Sequence, residues 1–230
     1  MLDVEGTVAP ISLVYEQLFP YARRHLLEFL REHAGEPEAD ADFALLLGEN
    51  LSETASDVPR FSRFEHLDQA YAYLIWLMDR DRKSTALKSL QGRVWKRGFE
   101  AGELVGTLFP DVPEALAQWS ETATVAIYSS GSVEAQRLLF RYSSAGDLTG
   151  LITAYFDTRV GAKREARSYR AIAGELGVEP AEILFFSDVV AELDAAREAG
   201  CLTRLVVRDG NAAVGEGHGH LIADSLFEIG

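Results

Sequence analysis

Short apolar runs alternate with amphipathic stretches through the second half of the chain, a rhythm that the first hundred residues lack. Val125-Ala126-Ile127-Tyr128, Ile183-Leu184-Phe185-Phe186 and Leu202 to Val207 are brief and apolar, as strands buried on both faces are. Around them, Ala135, Leu138 and Leu139, then Ala166, Tyr169, Ile172, Ala173 and Leu176, then Leu193, Ala196 and Ala199 recur at helical spacing. Gly177 and Gly200 stand where two of these helices should stop. Repeated βα units predict an α/β fold with a mostly parallel sheet. From Val14 to Glu103 the pattern is helical throughout, with Leu67, Tyr71, Leu74, Ile75 and Met78 forming one apolar stripe. That stretch reads as a helical insertion over 14–103, leaving 1–13 and 104–230 for the sheet domain. Gly35 to Asp42, polar and acid-rich, reads as an exposed connection.

With 230 residues, 47% of them hydrophobic, the chain can bury one large core or one core plus a small insertion. Its formal net charge of -14 argues against nucleic acid or an anionic membrane as the main partner. An anionic substrate would need locally placed cations and amide donors. The single cysteine, Cys201, cannot form an internal disulfide and suits a reducing compartment. No apolar run of about 18 residues and no basic-then-apolar leader is present, so a cytoplasmic location is expected. A monomer is expected as well.

The chemistry concentrates at the predicted strand ends. Asp3 and Glu5, in Asp3-Val4-Glu5-Gly6-Thr7, are two residues apart and project the same way from an extended backbone. Such a pair offers a nucleophile and a proton donor for phosphoryl chemistry, although acidic residues before Gly-Thr also make ordinary turns. Ser129 and Ser130 follow the second strand, Asp188 follows Phe186, and Lys163 is expected to open a helix. In parallel α/β sheets ligands bind beyond the carboxyl ends of the strands, where these segments converge. His218 and His220, in a Gly-rich stretch, read as loop residues and not as a metal pair.

Several stretches carry a resemblance. They are Asp3-Val4-Glu5-Gly6-Thr7, Leu18-Phe19-Pro20-Tyr21-Ala22, Asp81 through Lys88, Leu90-Gln91-Gly92, Tyr128-Ser129-Ser130-Gly131-Ser132 through Gln136, and Phe185-Phe186-Ser187-Asp188-Val189 onward through Glu192. The chain resembles the haloacid dehalogenase-like phosphohydrolases and, within them, the enolase-phosphatases of methionine salvage. The resemblance implies a Rossmann-like core with a helical cap inserted after the first strand. It implies enolisation of 2,3-diketo-5-methylthiopentyl-1-phosphate and its dephosphorylation to 1,2-dihydroxy-3-keto-5-methylthiopentene, with Mg²⁺ as cofactor. Asp3 is then the nucleophile, Glu5 the acid and base, and Asp3, Glu5 and Asp188 the metal ligands. Glu5 is a ligand through either its side chain or its carbonyl. Ser129, Ser130 and Lys163 bind substrate, and Glu192 is the second carboxylate of the late acidic motif.

Blander readings stay open at this level: a helix cap for Asp188 and for the serines, a solvated lysine for Lys163, and ion pairs for the insertion's Arg82 and Lys83. So do two other functions, a phosphatase for another small phosphomonoester and a catalytically silent relative. The chain also departs from the family in having only Met1 and Leu2 before Asp3. Two residues cannot fill a strand of about five to six. Either the first strand is truncated or translation begins upstream, and an extended chain is expected to be more stable and more active.

Overall fold

The computed structural model describes residues 1–63, 66–215 and 217–227. Two compact units divide the chain, one formed by Met1–Tyr15 and Val105–Gly230, the other by Glu16–Leu104.

The second unit is helical. A wide π-helical segment, Leu13–Leu18, leads into α1 (Phe19–Glu32), followed by α2 (Pro37–Ser52), α3 (Leu67–Asp79) and α4 (Thr85–Glu100). The expected connection at Gly35 to Asp42 is largely helix instead. Pro37 occupies the first helical turn with Glu38 and Asp40 beside it, an arrangement suited to a helix start, and Ala39 and Phe43 are buried. The stripe expected along α3 is also shifted. Ala70, Tyr73, Leu74, Trp76 and Leu77 are the buried positions, with Tyr71, Ile75 and Met78 only half-buried. Alternation of aromatic and aliphatic residues around this helix made two faces nearly equal in apolar content. The Ser84 hydroxyl caps α4 by accepting from the Leu87 amide at 2.9 Å. Arg82 is ion-paired with Glu53.

The first unit is a parallel sheet with helices. In chain order come α5 (Val112–Ser120), β1 (Ala126–Tyr128), α6 (Val133–Arg141), β2 (Ala154–Phe156), α7 (Ala166–Leu176), β3 (Leu184–Ser187), α8 (Val190–Ala199), β4 (Leu202–Val206) and β5 (Leu221–Ala223). β1 pairs with β2, and β3 with β4 and β4 with β5, every pairing parallel. Leu2 joins the two halves by bridging Ile127 on one side and Phe186 on the other, so the spatial order is β2-β1-Leu2-β3-β4-β5. On either side of Leu2, the Met1 and Asp3 backbones also hydrogen-bond to β3. Gly177 and Gly200 end α7 and α8 in the left-handed region, at φ of 70° and 104°. Tyr128, Tyr169 and Phe185 pack as an aromatic column, with ring centroids 5.5 and 5.2 Å apart. Cys201 is buried just before β4. Among the described residues no helix is long and apolar enough to cross a membrane.

Leu2 is completely buried and is the only residue through which both halves of the sheet are bridged among the described strands. Leu2→Ala is expected to cost about 3 kcal/mol, the usual range for a fully buried leucine, as read by urea unfolding. A loss below about 1 kcal/mol would show that the sheet does not need this bridge.

Candidate active site

Lys163 does not open α7; it lies in the turn three residues before that helix begins. Three hydroxyls build the turn. Tyr128 donates to the Gly161 carbonyl at 2.9 Å, Ser168 to Ala162 at 2.7 Å and Tyr169 to Lys163 itself at 2.7 Å. A run of three carbonyls satisfied by buried hydroxyls fixes the backbone, and with it the direction of the side chain. The Lys163 ammonium is buried and lies 2.5 Å from Asp3 Oδ1 and 2.6 Å from Glu192. Burial alone would depress its pKa, but the two carboxylates outweigh that effect and raise it, so the lysine stays charged.

Asp3 is 2% exposed. Its Oδ1 accepts from Lys163 and from the Val4 amide at 2.7 Å, while Oδ2 accepts from the Ser187 hydroxyl at 3.3 Å. Ser187 also lies 3.0 Å from Glu192 and accepts from the Val189 amide. Having one proton, the hydroxyl can serve only one of the two carboxylates at a time. Burial, then the charge of Asp3, push the Glu192 carboxyl up to about 7. Nothing in the sequence marked Ser187 for this bridging position beyond its place at the end of a strand.

Asp188 sits at the mouth of β3. It does not cap α8, since the first free amide there, that of Val189, goes to Ser187. Burial and the proximity of Asp3 raise its pKa to about 6, and its Oδ1 is buried without a partner among the described residues. Its Oδ2 presses on Gly6, where φ is +75° and an added Cβ would lie 2.4 Å from that oxygen. Only glycine gives the loop this close approach. Glu5 turns its carboxyl to Ser129, whose hydroxyl donates at 3.5 Å, and burial followed by the charge of Asp3 raise the Glu5 pKa.

Ser129 is buried and accepts from the Gly131 amide at 3.0 Å, while Ser132 is the residue that caps α6. Gln136 holds this loop by donating to the Gly131 and Phe156 carbonyls, both at 2.9 Å. Ser130 follows on the same loop and is exposed. Both histidines lie outside helix and strand, as expected, but their side chains are anchored. His220 is buried, with Nδ1 2.8 Å from the Thr203 hydroxyl and Nε2 3.1 Å from Asp194. His218 accepts from the His220 amide at 3.0 Å, so the pair is structural.

Asp3 and Glu192 contact the one ammonium group, Glu5 and Asp188 feel its charge from farther off, and the electrostatic excess of the four carboxyls is negative. Among the described residues no three Asp, Glu, His or Cys side chains form a ready-made metal-holding group. The available donors are nevertheless all oxygens, and one of them, Asp188 Oδ1, is orphaned beside Asp3. An oxygen set with uncompensated negative charge suits a hard divalent cation.

The raised carboxyls set a sign for pH dependence. Asp188 and Glu192 titrate near 6 and 7 when folded, against about 4 when unfolded, so the folded protein holds extra protons in between. Stability of the metal-free protein should therefore fall as pH rises from about 4 through 7. Asp188→Asn should melt higher than the parent at pH 7.5, by about 1 kcal/mol after allowance for solvent screening, with the difference gone near pH 4. A melting temperature at pH 7.5 equal to or below the parent's would contradict this charge balance.

A family model described as haloacid dehalogenase-like hydrolase matches residues 1–200. The Enolase-phosphatase E1 of Synechococcus elongatus is 51% identical, over 93% of this chain and 90% of its own length. That of Pseudomonas aeruginosa strain UCBPP-PA14 is 46% identical, over 99% and 97%. Among solved structures, the UTR4 protein of Saccharomyces cerevisiae superposes with a TM-score of 0.78 at 34% identity, covering 97% of this chain and 96% of that one. A dehalogenase at 21% identity and a TM-score of 0.54 shares the fold. The chain belongs to the haloacid dehalogenase-like hydrolases and, within them, to the enolase-phosphatase family.

Proposed function

We propose that this chain is a Mg²⁺-dependent enolase-phosphatase acting on 2,3-diketo-5-methylthiopentyl-1-phosphate, with 1,2-dihydroxy-3-keto-5-methylthiopentene and phosphate as products. The observation that carries the reading is the buried Lys163 ammonium held between Asp3 and Glu192, beside the unpaired Asp188 carboxylate. A structural ion pair needs no third carboxylate next to it, whereas a phosphate site with a bound cation does.

In this reading Asp3 and Asp188, with the backbone carbonyl or side chain of Glu5, would hold the ion, whose charge would offset the repulsion between Asp3 and the phosphate. Asp3 attacks phosphorus in line through the oxygen not engaged by Lys163. One bond forms, to give an aspartyl-phosphate, as the bond to the leaving oxygen breaks. Lys163 fixes the other Asp3 oxygen and offsets charge on the transferring group. Ser129 and Ser130 would donate to the phosphate or the diketone. The helical unit of Glu16–Leu104 is then the cap that selects the organic half of the substrate.

Glu5 has the properties of a carrier for one proton through both steps. Its raised pKa favours accepting the proton removed beside the carbonyl during enolisation, and the same proton then goes to the leaving oxygen. Water that cleaves the aspartyl-phosphate returns a proton to Glu5, which passes it to the enolate oxygen formed in the first step, so that Glu5 is ionised again for the next turnover.

Phosphate release from the diketone phosphate should require Mg²⁺ and fall by at least about a thousandfold in Asp3→Asn, while transient ultraviolet absorbance should report the enol in the parent enzyme. Glu5→Gln should lose both signals. An enol transient that survives in Glu5→Gln would move the enolisation base elsewhere. Magnesium-independent turnover, or a fully active Asp3→Asn, would remove the mechanism altogether.

A further inference from the structure

We infer that Asn211 is a positioning residue of the cation site, fixing the nucleophile loop with its amide nitrogen and presenting its amide oxygen beside Asp188 to the ion's hydration shell. The inference rests on the Mg²⁺ reading above and concerns a residue outside all the segments that drew attention in the sequence.

Asn211 Nδ2 donates to the Gly6 carbonyl at 2.9 Å. A carbonyl can only accept, so the nitrogen must face Gly6 and the orientation of the amide is settled by chemistry. Its Oδ1 is consequently turned the other way, where it is buried without a partner among the described residues. That oxygen crowds the same point as Asp188: a Cβ on Gly6 would lie 3.0 Å from Asn211 Oδ1 and 2.4 Å from Asp188 Oδ2. Asn211 and Asp188 thus lie against one glycine, and each carries a buried oxygen without a partner among the described residues, which is costly. A hydrated divalent cation would relieve both, with Asp188 as a ligand and Asn211 accepting from a bound water.

The placement of Asn211 is itself well braced. Its amide donates to the Arg208 carbonyl at 3.1 Å, closing a turn just beyond β4. The Arg208 guanidinium is pinned by Asp111 at 2.8 Å and by the Asp224 carbonyl at 2.8 Å, and it lies 4.7 Å from the Phe109 ring centroid. A side chain that only closed a surface loop would need neither this bracing nor a buried acceptor aimed at a carboxylate.

Mn²⁺ binding to the full-length protein, followed by the electron paramagnetic resonance signal of the free ion, tests the inference without turnover. Asn211→Ala should bind Mn²⁺ about tenfold more weakly than the parent, the scale of a lost outer-shell partner. Asn211→Gln, with the same amide on a longer stem, should lose a smaller factor. Circular dichroism and metal-free melting establish that each variant is folded, and the Gln variant carries the test if Ala does not fold. Parent-like affinity, within twofold, in the folded variants would overturn the role of Asn211 and leave the cation reading intact. Absence of saturable Mn²⁺ binding by the parent would overturn both.

Discussion

One ammonium group shared by two buried carboxylates organises the functional half of this molecule. Lys163, 160 residues from Asp3 in sequence, ties it to Glu192 on α8. Removing ionised groups from water is expensive, and a buried pair is tolerated only where geometry and extra hydrogen bonds compensate. Here they do so for the lysine and for Asp3, through the Val4 amide and Ser187. They do not for Asp188, and that imbalance separates this cluster from an ordinary structural ion pair.

The sheet exists to bring those groups together. Asp3 immediately follows Leu2, which lies between Ile127 and Phe186, so Asp3 emerges beside the ends of β1 and β3. Ser129 follows β1, while Ser187 and Asp188 finish and follow β3. Parallel strands put all these carboxyl ends on one edge, and the apolar runs that define the strands thereby dictate where the polar residues meet. Leu2, wholly buried between its neighbours, fixes where Asp3 emerges.

Much of this was legible beforehand, for identifiable reasons. Strands such as Ile183 to Phe186 and helices ending at Gly177 and Gly200 carry strong local signals, a continuous apolar run or a residue suited to positive φ. The convergence of Asp3, Lys163 and Asp188 followed from strand-end placement, and the motif resemblance sharpened it. What escaped was set by tertiary contact. The buried face of α3 could not be chosen from a helix apolar nearly all round. Pro37 started a helix where acidic residues suggested a loop. His220 found Thr203 and Asp194, and Asn211 found Gly6, across gaps of 17 to 205 residues that no local pattern encodes. Lys163 lies three residues before the helix it was expected to open, and its turn is built by Tyr128 and Tyr169, which read as strand and helix residues, together with Ser168, which carried no signal.

Those three hydroxyls have a kinetic meaning. Because each is spent on a carbonyl of the Gly161 to Lys163 turn, the lysine's dipolar surroundings are set before any substrate arrives. Charge moving from a carboxylate to a phosphoryl group in water must drag solvent dipoles after it, and that reorganisation energy forms a large part of the barrier. A cation whose scaffold is already locked has little left to rearrange, so folding has met in advance a cost that solution chemistry incurs at every turnover.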